Sequence, residues 1–289
     1  MSTSKVKFKT PLRYPGGKSR ATKFFFSDEH LPSQIEEYRE PFLGGGSCAL
    51  AFAQQFPEIP VWVNDKYYNL YCFWITLRDH CLDLQEKLYF EKSKAMKENS
   101  HKELFLHCRE TIAEQTDMLE IAWRFYVCNK CSFSGLGESS GFSDAASKSN
   151  FSEAGINKLI AYSRIISNWK ITNDDYTSLF ENVTPNTFMF LDPPYDINSF
   201  LYGKKGAHHL DFDHYRFLGE VNSLDCQTMI TYNSNDKLKQ MYQGWEQTVW
   251  DLTYTMHSSK KYREDEHNRK ELLLKNYSLQ EKNLLKFIS

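Results

Sequence analysis

"NTFMFLDPPYDI" occupies Asn186 to Ile197. An apolar run beginning at Thr187 closes on the acid Asp192, and two prolines and a tyrosine follow. The run reads as a buried strand ending in a carboxylate. Asp192 offers acceptor oxygens. Pro193 has no N–H but keeps its carbonyl, Pro194 fixes the backbone, and Tyr195 presents a ring face. Together they suit one chemical task, the holding of a planar exocyclic amine. One amine hydrogen would go to the carboxylate and the other to the Pro193 carbonyl, with the base stacked on Tyr195. Such an amine is a poor nucleophile because its lone pair is delocalised into the ring. Two acceptors draw the nitrogen toward tetrahedral geometry and aim the lone pair at an electrophile. A rigid turn carrying a surface acid is the alternative these four residues admit on their own.

Working outward, strand signals recur on both sides. "EPFLGGGSCALAFA" (Glu40 to Ala53) reads as a strand end, a glycine turn and a helix, with Ser47 at the N-cap. "VWVND" (Val61 to Asp65) is a short apolar run closing in an acid. Downstream lie "WKITNDD" (Trp169 to Asp175), "QTMITYN" (Gln227 to Asn233), "QTVWDLTYTM" (Gln247 to Met256) and "ELLLKNY" (Glu271 to Tyr277). Helical stretches separate several of them, which predicts an α/β fold with a mostly parallel sheet. The last two strands lack an intervening helix and are expected to pair antiparallel. From Tyr67 to about Ser167 charged and apolar residues recur at helical spacing instead, as in Phe105 to Val127. "SFSGLGESSGFSDAASKSN" (Ser132 to Asn150) lacks helical period and reads as a loop.

In open parallel sheets ligands bind beyond the carboxyl ends of the strands. Gly44 to Gly46, Asp65, Asp175 and Asp192 all fall at such ends, which suggests one shared site. A glycine turn opening a helix lets backbone N–H groups approach an anion, and an acid about 20 residues on suits a ribose diol. Asp65 has that spacing. The pattern is neither G-x-G-x-x-G nor a P-loop, so a nucleoside joined to a small carboxylate fits better than a dinucleotide or triphosphate. A tight strand-to-helix turn is the plainer alternative.

The 289 residues are long for one core and short for two full domains, which predicts one domain with a sizeable insertion. The formal charge of −2 leaves nucleic-acid binding to a local basic patch. Seven cysteines, without an apparent secretory leader, point to a reducing cytoplasm. Cys128 and Cys131 form a lone C-x-x-C, better read as buried free thiols than as a metal site. No stretch approaches a membrane span.

With these pieces in one order, the sequence resembles the Dam-type N6-adenine DNA methyltransferases. "RYPGGK", "EPFLGGGS", "VND" at Asp65, "ITNDDY" at Asp175, "DPPY", "SND" after Asn233 and "RKELLLKNY" carry the likeness. The resemblance implies a Rossmann-like, S-adenosylmethionine-dependent methyltransferase core over 1–69 and 169–289. It also implies a mostly helical target recognition domain inserted at 70–168. Tyr14 and Lys18 would belong to the N-terminal cofactor motif. Pro41, Phe42, Gly44, Gly46 and Ser47 would shape the methionine pocket, Asp65 would take the ribose hydroxyls, and Asp175 the adenine end. Asp192 would border the cofactor while it, Pro193, Pro194 and Tyr195 hold a target adenine flipped from duplex DNA. The methyl would move in one in-line displacement, with no metal. Phosphate contacts are expected from Lys130, Lys204, Lys205, Lys260, Lys261 and Arg263, and base contacts from Ser132, Ser134 and Glu138. Glu138 and the serines cannot supply bidentate arginine contacts to guanine, so GATC is not the expected target. A restriction endonuclease would be a natural partner. RNA adenine or a protein glutamine amide are the alternative substrates, because the amine-holding logic is the same.

Overall fold

The computed structural model describes residues 7–14, 16–194, 212–251 and 270–278. The run at Thr187–Leu191 is β4, and all five of its residues are buried. Its alternate side chains serve two different cores. Phe188 and Phe190 join one apolar cluster and Met189 and Leu191 the other. A strand covered on both faces has no solvent side, so the polar alternation of a half-exposed strand is missing.

Around it stand β1 (Glu37–Glu40), β2 (Val61–Asn64), β3 (Lys170–Thr172), β5 (Gln227–Asn233), β6 (Glu246–Asp251) and β7 (Lys270–Lys275). Among the described residues they form one seven-stranded sheet in the order β3-β2-β1-β4-β5-β7-β6. Strands β1 to β5 pair parallel, while β7 runs antiparallel to both β5 and β6. The antiparallel end predicted from the missing helix is therefore present. Strand order reverses between β1 and β4, and that switch point opens a crevice at their carboxyl ends.

One face carries α1 (Thr22–Phe25) and α2 (Ser47–Gln55). Between β2 and β3 the chain forms α3 (Tyr68–Asp79), α4 (Cys81–Glu98), α5 (His101–Thr111), α6 (Met118–Cys131), α7 (Asp144–Asn150), α8 (Glu153–Asn157) and α9 (Leu159–Ile166). A single buried cluster runs without a break from Tyr38, Phe52, Val63 and Phe188 on the sheet side to Leu84, Phe105 and Phe151 among these helices. The opposite face is closed by the helices His214–Asn222 and Asp236–Met241.

Local chemistry corrects three expectations. The helical stretch from Phe105 is two helices. It breaks after the 3-10 turn Ile112–Glu114, and Asp117 caps α6 by accepting from the Glu120 N–H. The N-cap of α2 is Gly46, left-handed at φ 67°, so Ser47 is the first helical residue. The Ser/Gly-rich segment is not all loop. Ser143 accepts from the Ala146 N–H and starts α7, and Ser132 and Phe142 form an antiparallel bridge that closes the loop between them.

Candidate active site

Asp192 follows β4 directly at the switch point. Its carboxylate meets a cation from the N-terminal loop, 174 positions earlier in the chain. Lys18 Nζ lies 3.0 Å from Oδ1 and 3.1 Å from Oδ2, and it also donates to the Gly16 carbonyl at 3.1 Å. Lys18 is 2% exposed. Burial alone would lower its pKa, but Asp192 and then Glu271 outweigh that and the net shift is upward. Thr231, buried on β5, donates to Asp192 Oδ1 at 2.7 Å. The carboxylate is thus fixed by a cation from the N-terminal loop and a hydroxyl from the neighbouring strand.

Lys18 reaches this place because its loop is anchored twice. Gly17 N–H closes a turn onto the Tyr14 carbonyl at 3.1 Å, with Gly16 left-handed at φ 73°. Tyr14 then lies across the glycine turn after β1. A Cβ at Gly44 would stand 2.9 Å from the Tyr14 ring, and one at Gly45 2.7 Å from Tyr14 Cβ. A Cβ at Gly46 would stand 2.7 Å from the Trp74 ring. So the space these glycines leave is filled by Tyr14 and Trp74, and the turn is shaped by packing as well as by its left-handed φ angles.

Asp65 closes the same turn from β2. Its Oδ2 accepts the Gly44 N–H at 2.7 Å and its Oδ1 the Tyr67 N–H at 2.9 Å. Asn64, one residue earlier and 1% exposed, ties the loops after β1 and β3 together. Its amide donates to the carbonyls of Pro41 and Asp174, and its oxygen accepts from the Asp174 N–H and the Thr172 hydroxyl. Asp175 is exposed. It caps the 3-10 turn Tyr176–Phe180 and sits 3.7 Å from Lys66. Phe42 is half-buried against Tyr176 and Phe212, with ring centroids 5.4 and 5.8 Å away.

The structure therefore gathers Tyr14, Lys18, Pro41, Phe42, Gly44, Gly46, Ser47, Asp65 and Asp192 at the carboxyl ends of β1, β2 and β4, with Pro193 buried and Pro194 half-buried beyond. Asp175 stands at the outer rim. Lys130 points inward: its Nζ donates to the Pro11 carbonyl, over the Tyr126 ring, and burial lowers its pKa to about 8. Ser132 is fully buried and its Oγ accepts from the Gly137 N–H. Ser134 holds a left-handed φ of 55°. Glu138 accepts from Tyr67 and Asn69. Tyr195, Lys204, Lys205, Lys260, Lys261 and Arg263 lie outside the described residues.

Sequence reasoning missed Thr231, Glu271, Asn64, Trp74 and Glu40. Glu271 was visible as an acid opening an apolar strand, and Asn64 as a polar residue closing one. Glu40, 3% exposed, receives the Tyr38 hydroxyl at 2.6 Å, and burial lifts its carboxyl well above the usual range. The seven cysteines are all free and buried. Among the described residues no three His, Cys, Asp or Glu side chains gather as a metal site, and no helix is long and apolar enough to cross a membrane.

Sheet order and site together describe an α/β enzyme with a braced carboxylate at its topological switch point. Residues 14–266 match the family of D12 class N6 adenine-specific DNA methyltransferases, and the chain belongs to that family. Its substrate class is DNA and its reaction is methylation of adenine N6. The chain is 25% identical over 278 residues to the type II methyltransferase M.CviBI of Paramecium bursaria Chlorella virus NC1A, covering 92% of this chain and 98% of that protein. It is 24% identical over 201 residues to the type II methyltransferase M.MjaIII of Methanocaldococcus jannaschii, covering 64% of this chain and 68% of that one.

Proposed function

We propose that the protein transfers a methyl group from S-adenosylmethionine to the N6 amine of an adenine flipped out of double-stranded DNA. The observation that carries this reading is the Asp192 carboxylate at the end of β4, held by Lys18 and Thr231 in the crevice beside the glycine turn.

The described residues fit the donor. Its hydroxyl-bearing ribose suits the Asp65 carboxylate, which is already aligned by the Gly44 and Tyr67 N–H groups. The part-exposed Phe42 ring gives an apolar wall, and Asp175 lies at the rim where an exocyclic amine could be met. Bound there, S-adenosylmethionine supplies an electrophilic methyl on a sulfonium.

The protein's own part is positioning. Asp192 accepts one hydrogen of the adenine amine and the Pro193 carbonyl the other, which turns the nitrogen lone pair toward the methyl. Lys18 balances the carboxylate charge and Thr231 fixes its orientation. Taking the base out of the duplex costs a few kcal/mol, which is about the cost of unstacking and unpairing. The helices between β2 and β3, with the loop closed by Ser132 and Phe142, are the target recognition domain in this reading. Tyr195, Lys204, Lys205, Lys260, Lys261 and Arg263 keep their assigned contacts to base and phosphate. The names of the two type II relatives support a restriction partner, and the buried thiols support a reducing compartment.

The test is methyl transfer from labelled S-adenosylmethionine to unmethylated DNA, total RNA and a protein extract in parallel, with Asp192→Ala as control. The expected result is label in DNA as N6-methyladenine at one short motif, absent in the variant, with donor binding kept within a few-fold. Label in RNA or protein would overturn the duplex-DNA reading, and full activity in Asp192→Ala would sink the mechanism.

A further inference from the structure

The loop between Ser132 and Phe142 is held at three points. Its stem is closed by the Ser132–Phe142 bridge and by Ser143 N–H donating to the Cys131 carbonyl at 2.9 Å. Beside the stem, Asn129 grips both main-chain groups of Arg13. Its Oδ1 accepts from Arg13 N–H at 2.9 Å, and its Nδ2 donates to the Arg13 carbonyl at 2.6 Å. Arg13 answers by donating to the Ser132 carbonyl at 2.8 Å. At the tip, Glu138 Oε1 accepts from the Tyr67 hydroxyl at 2.6 Å and from Asn69 Nδ2 at 2.9 Å.

The tip contact leads on. The main-chain N–H of Tyr67 donates to Asp65 Oδ1, and Asp65 Oδ2 holds the Gly44 N–H. Three hydrogen bonds thus connect the loop tip to the glycine turn, through a residue whose side chain faces the loop and whose backbone faces the pocket. Two donors converge on one oxygen of Glu138. Burial first, and Glu138 second, raise the Tyr67 pKa, so the phenol remains a donor throughout the working range.

We propose that Glu138 is a positioning residue, which couples the Ser132–Phe142 loop to the donor pocket by acting through Tyr67 on Asp65. This rests on the reading of Asp65 as the donor's ribose partner. It replaces a base-reading role for Glu138 with a coupling role. The loop that meets DNA and the carboxylate that meets the donor then share one hydrogen-bonded path. Any factor by which DNA changes donor affinity equals the factor by which donor changes DNA affinity.

The test titrates S-adenosylmethionine calorimetrically into the full-length protein without DNA, then measures donor KM, kcat and the methylated sequence. The variants are Glu138→Ala, Glu138→Gln, Tyr67→Phe, the Glu138→Ala/Tyr67→Phe pair, and Asp65→Ala. Donor binding should weaken roughly 5- to 20-fold in Glu138→Ala and in Tyr67→Phe, on the order of one lost hydrogen bond felt through an intervening residue. The pair should be no worse than the weaker single variant, because both cut one path. Glu138→Gln, which keeps an acceptor oxygen, should recover most of the affinity. Donor KM should rise with kcat nearly constant, and the methylated sequence should stay the same.

Donor binding unchanged in Glu138→Ala, with Asp65→Ala abolishing it, would overturn the coupling while leaving the donor pocket standing. Additive losses in the pair would overturn it too, as would a changed target sequence at unaltered donor affinity. Donor binding intact in Asp65→Ala would remove the pocket assignment itself. Should Glu138→Ala fail to fold, Tyr67→Phe carries the same comparison.

Discussion

Replacing Lys18 with methionine removes the cation that faces Asp192 while keeping most of the buried side-chain volume. At 3.0 Å, the charge–charge attraction is about 5 kcal/mol with an effective dielectric constant near 20. Desolvation of both groups offsets much of it. Breaking one side of a buried pair typically costs about 3–5 kcal/mol, because the remaining charge is left uncompensated. Here the Asp192 side chain is 24% exposed, so water can re-solvate part of it and the expected loss is about 3 kcal/mol. Urea unfolding of wild type, Lys18→Met, Asp192→Asn and the double variant measures it. Asp192→Asn leaves Lys18 buried without its main counter-charge, so the double variant should be more stable than the two single losses added together. The coupling should be about 1–3 kcal/mol. In the methyl-transfer assay Lys18→Met should turn over about 10- to 100-fold more slowly, since the charged donor that helps orient the carboxylate is lost. A stability loss under about 1 kcal/mol, or strictly additive single losses, would refute the role given to this pair.

Four further expectations follow from the site and the loop beside it. The folded-state pKa of Lys18 lies above its ordinary 10.5. Its contribution is therefore complete below that value and drains away as pH rises through the higher folded one. The stability gap between wild type and Lys18→Met should be flat from neutral pH to about 10 and should narrow above that in buffered urea titrations. Gly46→Ala should cost well over 2 kcal/mol, because the left-handed backbone adds to a 2.7 Å approach to Trp74. Gly137→Ala has φ 60° and no atom within 4 Å of the new Cβ, so thermal melts should show only about 1–2 kcal/mol. Asn64→Ala removes four hydrogen bonds at a buried position and should cost about 2–4 kcal/mol, with donor KM raised more than DNA KM in steady-state assays.

The sheet and half of the site were legible because their residues announce themselves locally. A doubly buried strand such as Thr187–Leu191 leaves an unbroken apolar run, and two strand signals with no helical spacing between them in the sequence point to an antiparallel pair. Glycines beside an acid mark a turn wherever they occur. What stayed hidden depends on contacts distant in sequence. Lys18 stands out in the sequence as part of the "RYPGGK" motif, but its pairing with Asp192, 174 positions along the chain, shows only in the fold. Thr231 is one threonine inside an apolar strand, and only its neighbour in the sheet makes it a donor to the site. The Ser/Gly-rich segment misled for a related reason. Its serines spend their hydroxyls on its own backbone, as Ser132 does toward Gly137 and Ser143 toward Ala146, so polar composition there signals internal bracing. Lys130 was misjudged in the same sense. It was expected to contact phosphate, whereas its ammonium donates to the Pro11 carbonyl.

The unbroken apolar cluster that joins sheet and inserted helices bears on how such an enzyme can acquire a new target. A cassette exchange of everything between β2 and β3 would tear Phe73, Trp74 and Ile166 out of the cluster they share with Phe52, Val63 and Ile171, so the donor and acceptor proteins would have to share an interior as well as splice points. The stretch enclosed by the Ser132–Phe142 bridge is different. Its stem is fixed by main-chain hydrogen bonds that any sequence can make, and Phe133 at its base is 53% exposed. Under the recognition role proposed for this loop, that small enclosed segment, Glu138 apart, is the natural unit in which to vary the target by hand, while the helices beneath it share the interior of the catalytic core.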